Sequence, residues 1–231
     1  MNKNQLPESV FQFIEQHPDI VQIVVEFMDQ NPELSPVVND IIQSYLTIVN
    51  SFDKGGKLFL CGNGGSFADC LHISGEMLKS YERKRGLTPA EREMFTSLPH
   101  GEMLADALER GFPVIVLGLN HSLKSAVEND IPVPYIGFAQ ELYALARKDD
   151  VLLGISTGGN AKNVAYAVTT AKAIGMKSIG LTGHTRGLLA ENVDIAIRVP
   201  KTKTNRIQEQ HQLVYHFLCS IIEAHYFQEL K

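Results

Sequence analysis

His72 and Glu76 stand four residues apart, so a helix would place an imidazole and a carboxylate on one face. Such a pair can move protons or hold a metal ion, but alone it is an ordinary surface contact worth roughly 0.2–0.5 kcal/mol. The segment before it adds weight. Leu58 to Cys61 is an apolar run that ends in Gly62-Asn63-Gly64-Gly65-Ser66. Asn63, Gly64 and Gly65 permit positive φ and let backbone N–H groups come close to a ligand. A strand, a glycine turn and a helix N-terminus together make an anion site, through unpaired N–H groups and the helix dipole. A second loop of this kind, Ser156-Thr157-Gly158-Gly159-Asn160, also follows an apolar run and precedes a helical pattern. Near the C-terminus, Gln208, His211 and His216 add an amide and two imidazoles.

Phosphate cradled at two loops, with an acid–base pair beside the first, is the chemistry these residues suggest. This is neither the dinucleotide pattern G-x-G-x-x-G nor a P-loop with its lysine. His121, alone after an apolar run, reads as a cap or surface residue.

Composition narrows the class. A chain of 231 residues with 44% hydrophobic content suits one ample α/β domain with a helical extension. Its net charge of −5 provides no basic field for nucleic acid. No apolar run approaches the roughly 18 residues that cross a bilayer, and no secretory signal is expected from the polar N-terminus. Three cysteines without CxxC spacing fit reduced thiols, so a cytoplasmic location is expected.

The elements that must position these residues follow from periodicity. Residues 1–55 are expected to form a helical arm: a helix over Pro7 to Ile14, another over Ile20 to Met28, a break at Asn31-Pro32, and a third from Leu34 to Phe52. The arm's apolar face is covered either by the domain's own sheet or by another subunit. The remaining domain spans 56–231. After the helix that follows Ser66, with apolar residues at 67, 71, 77 and 78, comes a helical insert over 83–111. There Thr88, Pro89 and Glu91 form a helix start with a capping box, Pro99 ends that helix, and another lies within Gly101 to Gly111. The insert is a lid, an oligomer contact or a solvated flap. Strands are expected at Pro113 to Leu119, Val151 to Ser156, Ser178 to Thr182 and Asp194 to Val199. Helices are expected at Phe138 to Lys148, at Ala161 to Ile174 ending on Gly175, and at Asn205 to Glu229. Continuously apolar strands alternating with helices mean a parallel sheet covered on both faces.

Taken together, Cys61-Gly62-Asn63-Gly64-Gly65-Ser66, His72-x3-Glu76, Ser156-Thr157-x-Gly159-Asn160 and Arg206-Ile207-Gln208-Glu209-x-His211-x4-His216 resemble the sugar isomerase (SIS) domain. Within that family they are similar to the sedoheptulose-7-phosphate isomerases. The resemblance implies a three-layer αβα sandwich with a five-stranded parallel sheet, a homotetramer, and active sites built between subunits. It implies isomerisation of sedoheptulose 7-phosphate to a glycero-manno-heptose 7-phosphate, for heptose precursors of surface polysaccharide. It implies zinc bound by His72, Glu76, Gln208 and His216, with Glu76 as base and His216 as acid. Ketose–aldose exchange does need one group to move a carbon-bound proton and another to serve oxygen, and a carboxylate and an imidazole near a divalent cation supply this.

Departures from the family pattern fall on substrate contacts. Gly158 and Ala161 stand where serine is usual, and Asn120 and Asn205 where aspartate is usual, removing phosphate hydroxyls and two sugar-hydroxyl acceptors. Substrate contacts are therefore expected at Asn63, Gly64, Gly65, Ser66, Asn120, Ser156, Thr157, Gly158, Asn160, Asn205 and Gln208. Two non-catalytic alternatives share the fold: a regulator that binds a phosphosugar, and a scaffold resembling the replication-initiator-associating protein, which lacks histidine at the position of His216. Finally, Gln208 and His216 on one helix lie about 12 Å apart along its axis and are turned by roughly 80°. Convergence with His72 and Glu76 would then be easier if one helix came from a neighbouring subunit.

Overall fold

The computed structural model describes residues 17–185 and 187–227. The helix expected over Pro7 to Ile14 lies outside the described residues, as does the end of the final helix beyond 227. Two N-terminal helices come first, α1 (Pro18–Gln30) and α2 (Val38–Asp53), joined by a 3-10 turn over Pro32–Val37. Pro32 and Pro36 deny the chain two backbone donors there, which breaks the helix where the sequence suggests. Ile20, Val24 and Phe27 of α1, and Ile41, Ile42, Tyr45, Ile48 and Val49 of α2, are buried in one cluster with Leu58, Leu60 and Leu153 of the sheet. The arm thus packs on the domain's own core.

Five strands follow: β1 (Leu58–Cys61), β2 (Val114–Val116), β3 (Val151–Ser156), β4 (Lys177–Thr182) and β5 (Ile195–Arg198). All pair in parallel, in the order β2-β1-β3-β4-β5. β1 runs to α3 (Gly65–Leu78), whose buried residues are Ser66, Cys70, Ile73 and Met77. Of the apolar residues that mark this helix, Met77 is buried while Leu71 and Leu78 are exposed.

The insert carries two short helices, α4 (Pro89–Glu93) and α5 (Gly101–Ala107). The Thr88–Glu91 capping box forms as expected, but α4 ends at Glu93, well before Pro99. The segment before α4 is tied to the body by a buried ion pair, Arg85 Nε to Glu223 Oε1 at 2.6 Å, both side chains fully buried. Glu223 also accepts from the backbone N–H groups of Tyr81, Glu82 and Arg83. Arg85 donates in turn to the carbonyls of Glu76 and Met77, the last turn of α3.

After β2 comes α6 (His121–Asp130), then α7 (Gly137–Leu145). α6 has no counterpart in the sequence reading, because only Val127 of its ten residues is buried and no apolar stripe marks it. Asn120 starts it by accepting from the Leu123 N–H. α8 (Lys162–Ile174) ends on Gly175 at φ 88°, α9 (Leu188–Asn192) is one short turn, and α10 (Thr204–Tyr226) closes the described chain. α1, α2, α3 and α10 cover one face of the sheet; α7, α8 and α9 cover the other, on Phe59, Cys61 and Leu152. Among the described residues no helix is long and apolar enough to cross a membrane.

Candidate active site

An order of 2-1-3-4-5 has its topological switch point between β1 and β3, and open α/β sheets bind ligands in the crevice beyond the carboxyl ends there. The two glycine loops are the segments that leave β1 and β3. Gly62 admits no side chain: a Cβ would lie 2.7 Å from the Ser66 carbonyl oxygen. Gly64 takes φ 54°, ψ −120° as N-cap of α3. Asn63 spans the crevice by two reciprocal hydrogen bonds to Asn163 in the first turn of α8, at 2.9 and 2.7 Å. Asn163 was not singled out from sequence, since nothing near it in the chain marks it as a partner of the first loop.

The second loop is fixed from outside. Gly159 sits at φ 69°. The Leu188 N–H donates to Asn160 Oδ1, while Asn160 Nδ2 donates to the Gly158 carbonyl. Thr157 accepts from the Gly183 N–H. Gly158 faces open space, whereas Ser156 is half-buried. Ser66, expected as a hydroxyl donor to ligand, is buried on the core side of α3. A cavity of about 820 Å³ opens beside the first loop, lined among others by Gly62, Asn63, Gly64, Asn120 and Asn163. That is within the usual range for small-molecule sites. Asn205 is exposed in the first turn of α10.

The proton-transfer candidates gather on the neighbouring flank, where α3 and α10 run side by side in the same direction. Gln208 lies against Gly65 at the start of α3, its amide filling the space a Cβ would need. Eight residues along α10, His216 meets His72, seven residues along α3. The rise of about 1.5 Å per residue carries both helices forward by similar amounts. His72 Nε2 is 3.1 Å from Glu76 Oε1 and 3.4 Å from His216 Nε2. One ligand atom from each of the three lies within 4.8 Å of the others. This trio assembles within one chain, so its convergence does not need a helix from a neighbouring subunit. Their parallel course brings the far ends of Gln208-x7-His216 to matching levels of α3.

Two aromatic residues complete the cluster. Tyr215, buried, places its Oη 2.9 Å from His72 Nδ1. The Tyr81 ring stacks on His216 at 5.9 Å between centroids and 22° between planes. Neither marks itself in the sequence: Tyr215 stands among apolar neighbours and reads as core, and Tyr81 opens a charged passage. Burial lowers the pKa of His216, as does His72 beside it, with Glu76 opposing. Asp69, one turn before His72, is raised to about 6 by burial, which His72 partly offsets.

The donor set suits a borderline-soft divalent ion: two imidazole nitrogens and a carboxylate oxygen. Metal–ligand bonds of 2.0–2.1 Å in a tetrahedron put neighbouring donors about 3.3–3.4 Å apart, close to the spacings seen here. The same groups can exchange protons with a bound substrate.

Comparisons with known proteins place the chain among relatives of the same fold. The SIS domain family matches residues 134–183. A phosphoheptose isomerase from Roseiflexus sp. (strain RS-1) is 36% identical over 182 residues, covering 79% of this chain and 80% of that protein. One from Glaesserella parasuis serovar 5 is 36% identical over 209 residues, covering 87% and 95%. The solved structure of a phosphoheptose isomerase from Neisseria gonorrhoeae superposes with a TM-score of 0.64 at 28% identity, covering 92% of this chain and 97% of that one.

Proposed function

This chain belongs to the phosphoheptose isomerase family of SIS-fold proteins, and on that premise we propose how its own residues carry out the reaction. It is an aldose–ketose isomerase that interconverts sedoheptulose 7-phosphate and D-glycero-D-manno-heptose 7-phosphate. The observation that carries the mechanism is the convergence of His72, Glu76 and His216 beside the switch-point loop. Glu76 takes a proton from C1 of the ketose and delivers one to C2, its carboxyl exchanging with water in between. His216 gives a proton to the C2 oxygen and accepts one from the C1 hydroxyl, so the enediolate between them never needs a free ion in water. His72 holds Glu76 in place.

The substrate phosphate lies at the two loops, against Gly64, Gly65, Thr157 and Gly158, where backbone N–H groups and helix N-termini replace the missing serine hydroxyls. Zinc is the proposed cofactor, held by His72, Glu76 and His216, with Gln208 on the same flank. When bound, it would polarise the sugar's carbonyl oxygen. A homotetramer is proposed as well, and exposed Leu71, Leu78 and Leu213 on the outer flank of α3 and α10 give it an apolar contact surface. His216 within the cluster favours the enzyme over a non-catalytic scaffold. The test is incubation of the protein with sedoheptulose 7-phosphate, with and without zinc, followed by NMR. Appearance of the aldose supports the reading; an unchanged ketose under both conditions overturns it.

A further inference from the structure

His72 is held from both sides of its ring. Nε2 faces Glu76 and His216, while Nδ1 meets the hydroxyl of Tyr215 at 2.9 Å. Tyr215 is buried in α10, next to His216, with its ring edge-on to both imidazoles. A histidine that ligates through one nitrogen is usually oriented by a hydrogen bond at the other, most often to a carboxylate or a carbonyl. Those acceptors fix one tautomer. A hydroxyl both donates and accepts, so it can serve either tautomer without moving.

We infer that Tyr215 is a positioning residue for His72, keeping its ring aimed into the cluster whether or not a cation is bound. In the metal-free protein the His72 Nε2–H donates to Glu76, and the Tyr215 hydroxyl donates to Nδ1. With a cation on Nε2 the ring proton resides on Nδ1 and is donated to Tyr215 Oη. The phenol's own proton then needs another acceptor. Asp69 supplies a carboxylate nearby: its Oδ2 is buried with no hydrogen-bond partner among the described residues, and its charge acts on both Tyr215 and His72. The tyrosine thus makes zinc affinity depend on a residue that touches neither metal nor substrate.

This inference rests on the trio being a cation site, and the experiment separates the two. Zinc affinity of wild type and Tyr215→Phe is measured by competition with a chromophoric chelator, and thermal unfolding of both is followed without metal. Phenylalanine keeps the packing of the ring, so the metal-free unfolding temperature is expected to be unchanged. Zinc affinity is expected to fall about 10- to 100-fold, the usual effect of losing an orienting partner. Wild-type affinity in the variant, within threefold, overturns the role of Tyr215. A weaker affinity accompanied by a matching loss of metal-free stability also overturns it, because the residue would then be only structural. Failure of the wild type itself to bind zinc overturns the cation site and the inference with it.

Discussion

His72 and His216 approach to 3.4 Å, Nε2 to Nε2, across 144 residues of chain. The contact exists because α10 lies beside α3 and runs with it, so that each helix delivers its imidazole at the same height. Both histidines and Glu76 belong to one polypeptide, which has a direct consequence for mixed oligomers. If Glu76→Gln and His216→Asn subunits are allowed to exchange, every cluster still lacks one of its two groups. No activity is expected to return, although exchange itself can be verified by mass spectrometry. Recovered activity would mean that the two groups act from different chains.

The first loop is expected to be intolerant where the second is permissive. Gly62→Ala drives a methyl group into the Ser66 carbonyl and should disrupt the turn, weakening sugar-phosphate binding at least about tenfold. Gly158→Ser meets nothing within 4 Å and adds a hydroxyl at the proposed phosphate position. Calorimetry should show tighter binding of a sugar phosphate and no change for the unphosphorylated sugar. Equal gains for both would remove phosphate from that loop.

Arg85 and Glu223 form a charge pair with no exposure of either side chain. Replacing Arg85 by methionine leaves a buried carboxylate without its cation, a change that typically costs about 3–5 kcal/mol. The loss should appear in chemical denaturation. It should also reach α3, because Arg85 holds the carbonyls of Glu76 and Met77. A variant as stable as wild type would show that the backbone donors from Tyr81, Glu82 and Arg83 suffice for Glu223.

His211 gives a pH dependence. It is fully buried, and neither ring nitrogen has a partner within hydrogen-bond geometry among the described residues. Burial pushes it down to about 4, with the Thr182 backbone close enough to offset this in part. The unfolded chain binds a proton near pH 6.5 and the folded one does not until about 4, so folding loses stability as pH falls through that window, by up to about 3 kcal/mol. Asp69, raised to about 6, acts in the opposite sense over an overlapping range. The difference between wild type and His211→Leu isolates the histidine: the variant's relative stability should rise as pH drops from 6.5 to 4. Parallel curves would contradict it.

The sequence carries part of this account openly and hides the rest for physical reasons. β1 and its glycine turn are legible because a short apolar run followed by Asn63, Gly64 and Gly65 has few other uses. α8 is legible down to its Gly175 terminus. α6 is not, since a helix with one buried residue leaves no stripe to read. The candidate groups His72, Glu76 and His216 could be named in advance. Their meeting in one chain could not, because it depends on the relative course of two helices set by the packing of the whole α3–α10 face. Tyr215 was hidden for a simpler reason: a tyrosine in an apolar helix looks like core until its hydroxyl is seen on His72.

The most direct test of the central claim follows the carbon-bound proton. Sedoheptulose 7-phosphate is incubated in D2O with wild type, Glu76→Gln and His216→Asn, and deuterium at C1 and C2 is read by NMR. Wild type is expected to form the aldose with deuterium entering at carbon. Glu76→Gln should lose both exchange and isomerisation by at least about 100-fold while keeping its fold. His216→Asn should keep some exchange at carbon while isomerisation falls, since it serves oxygen. Exchange and turnover within threefold of wild type in Glu76→Gln would contradict the assignment of Glu76 as the base and, with it, the site described here.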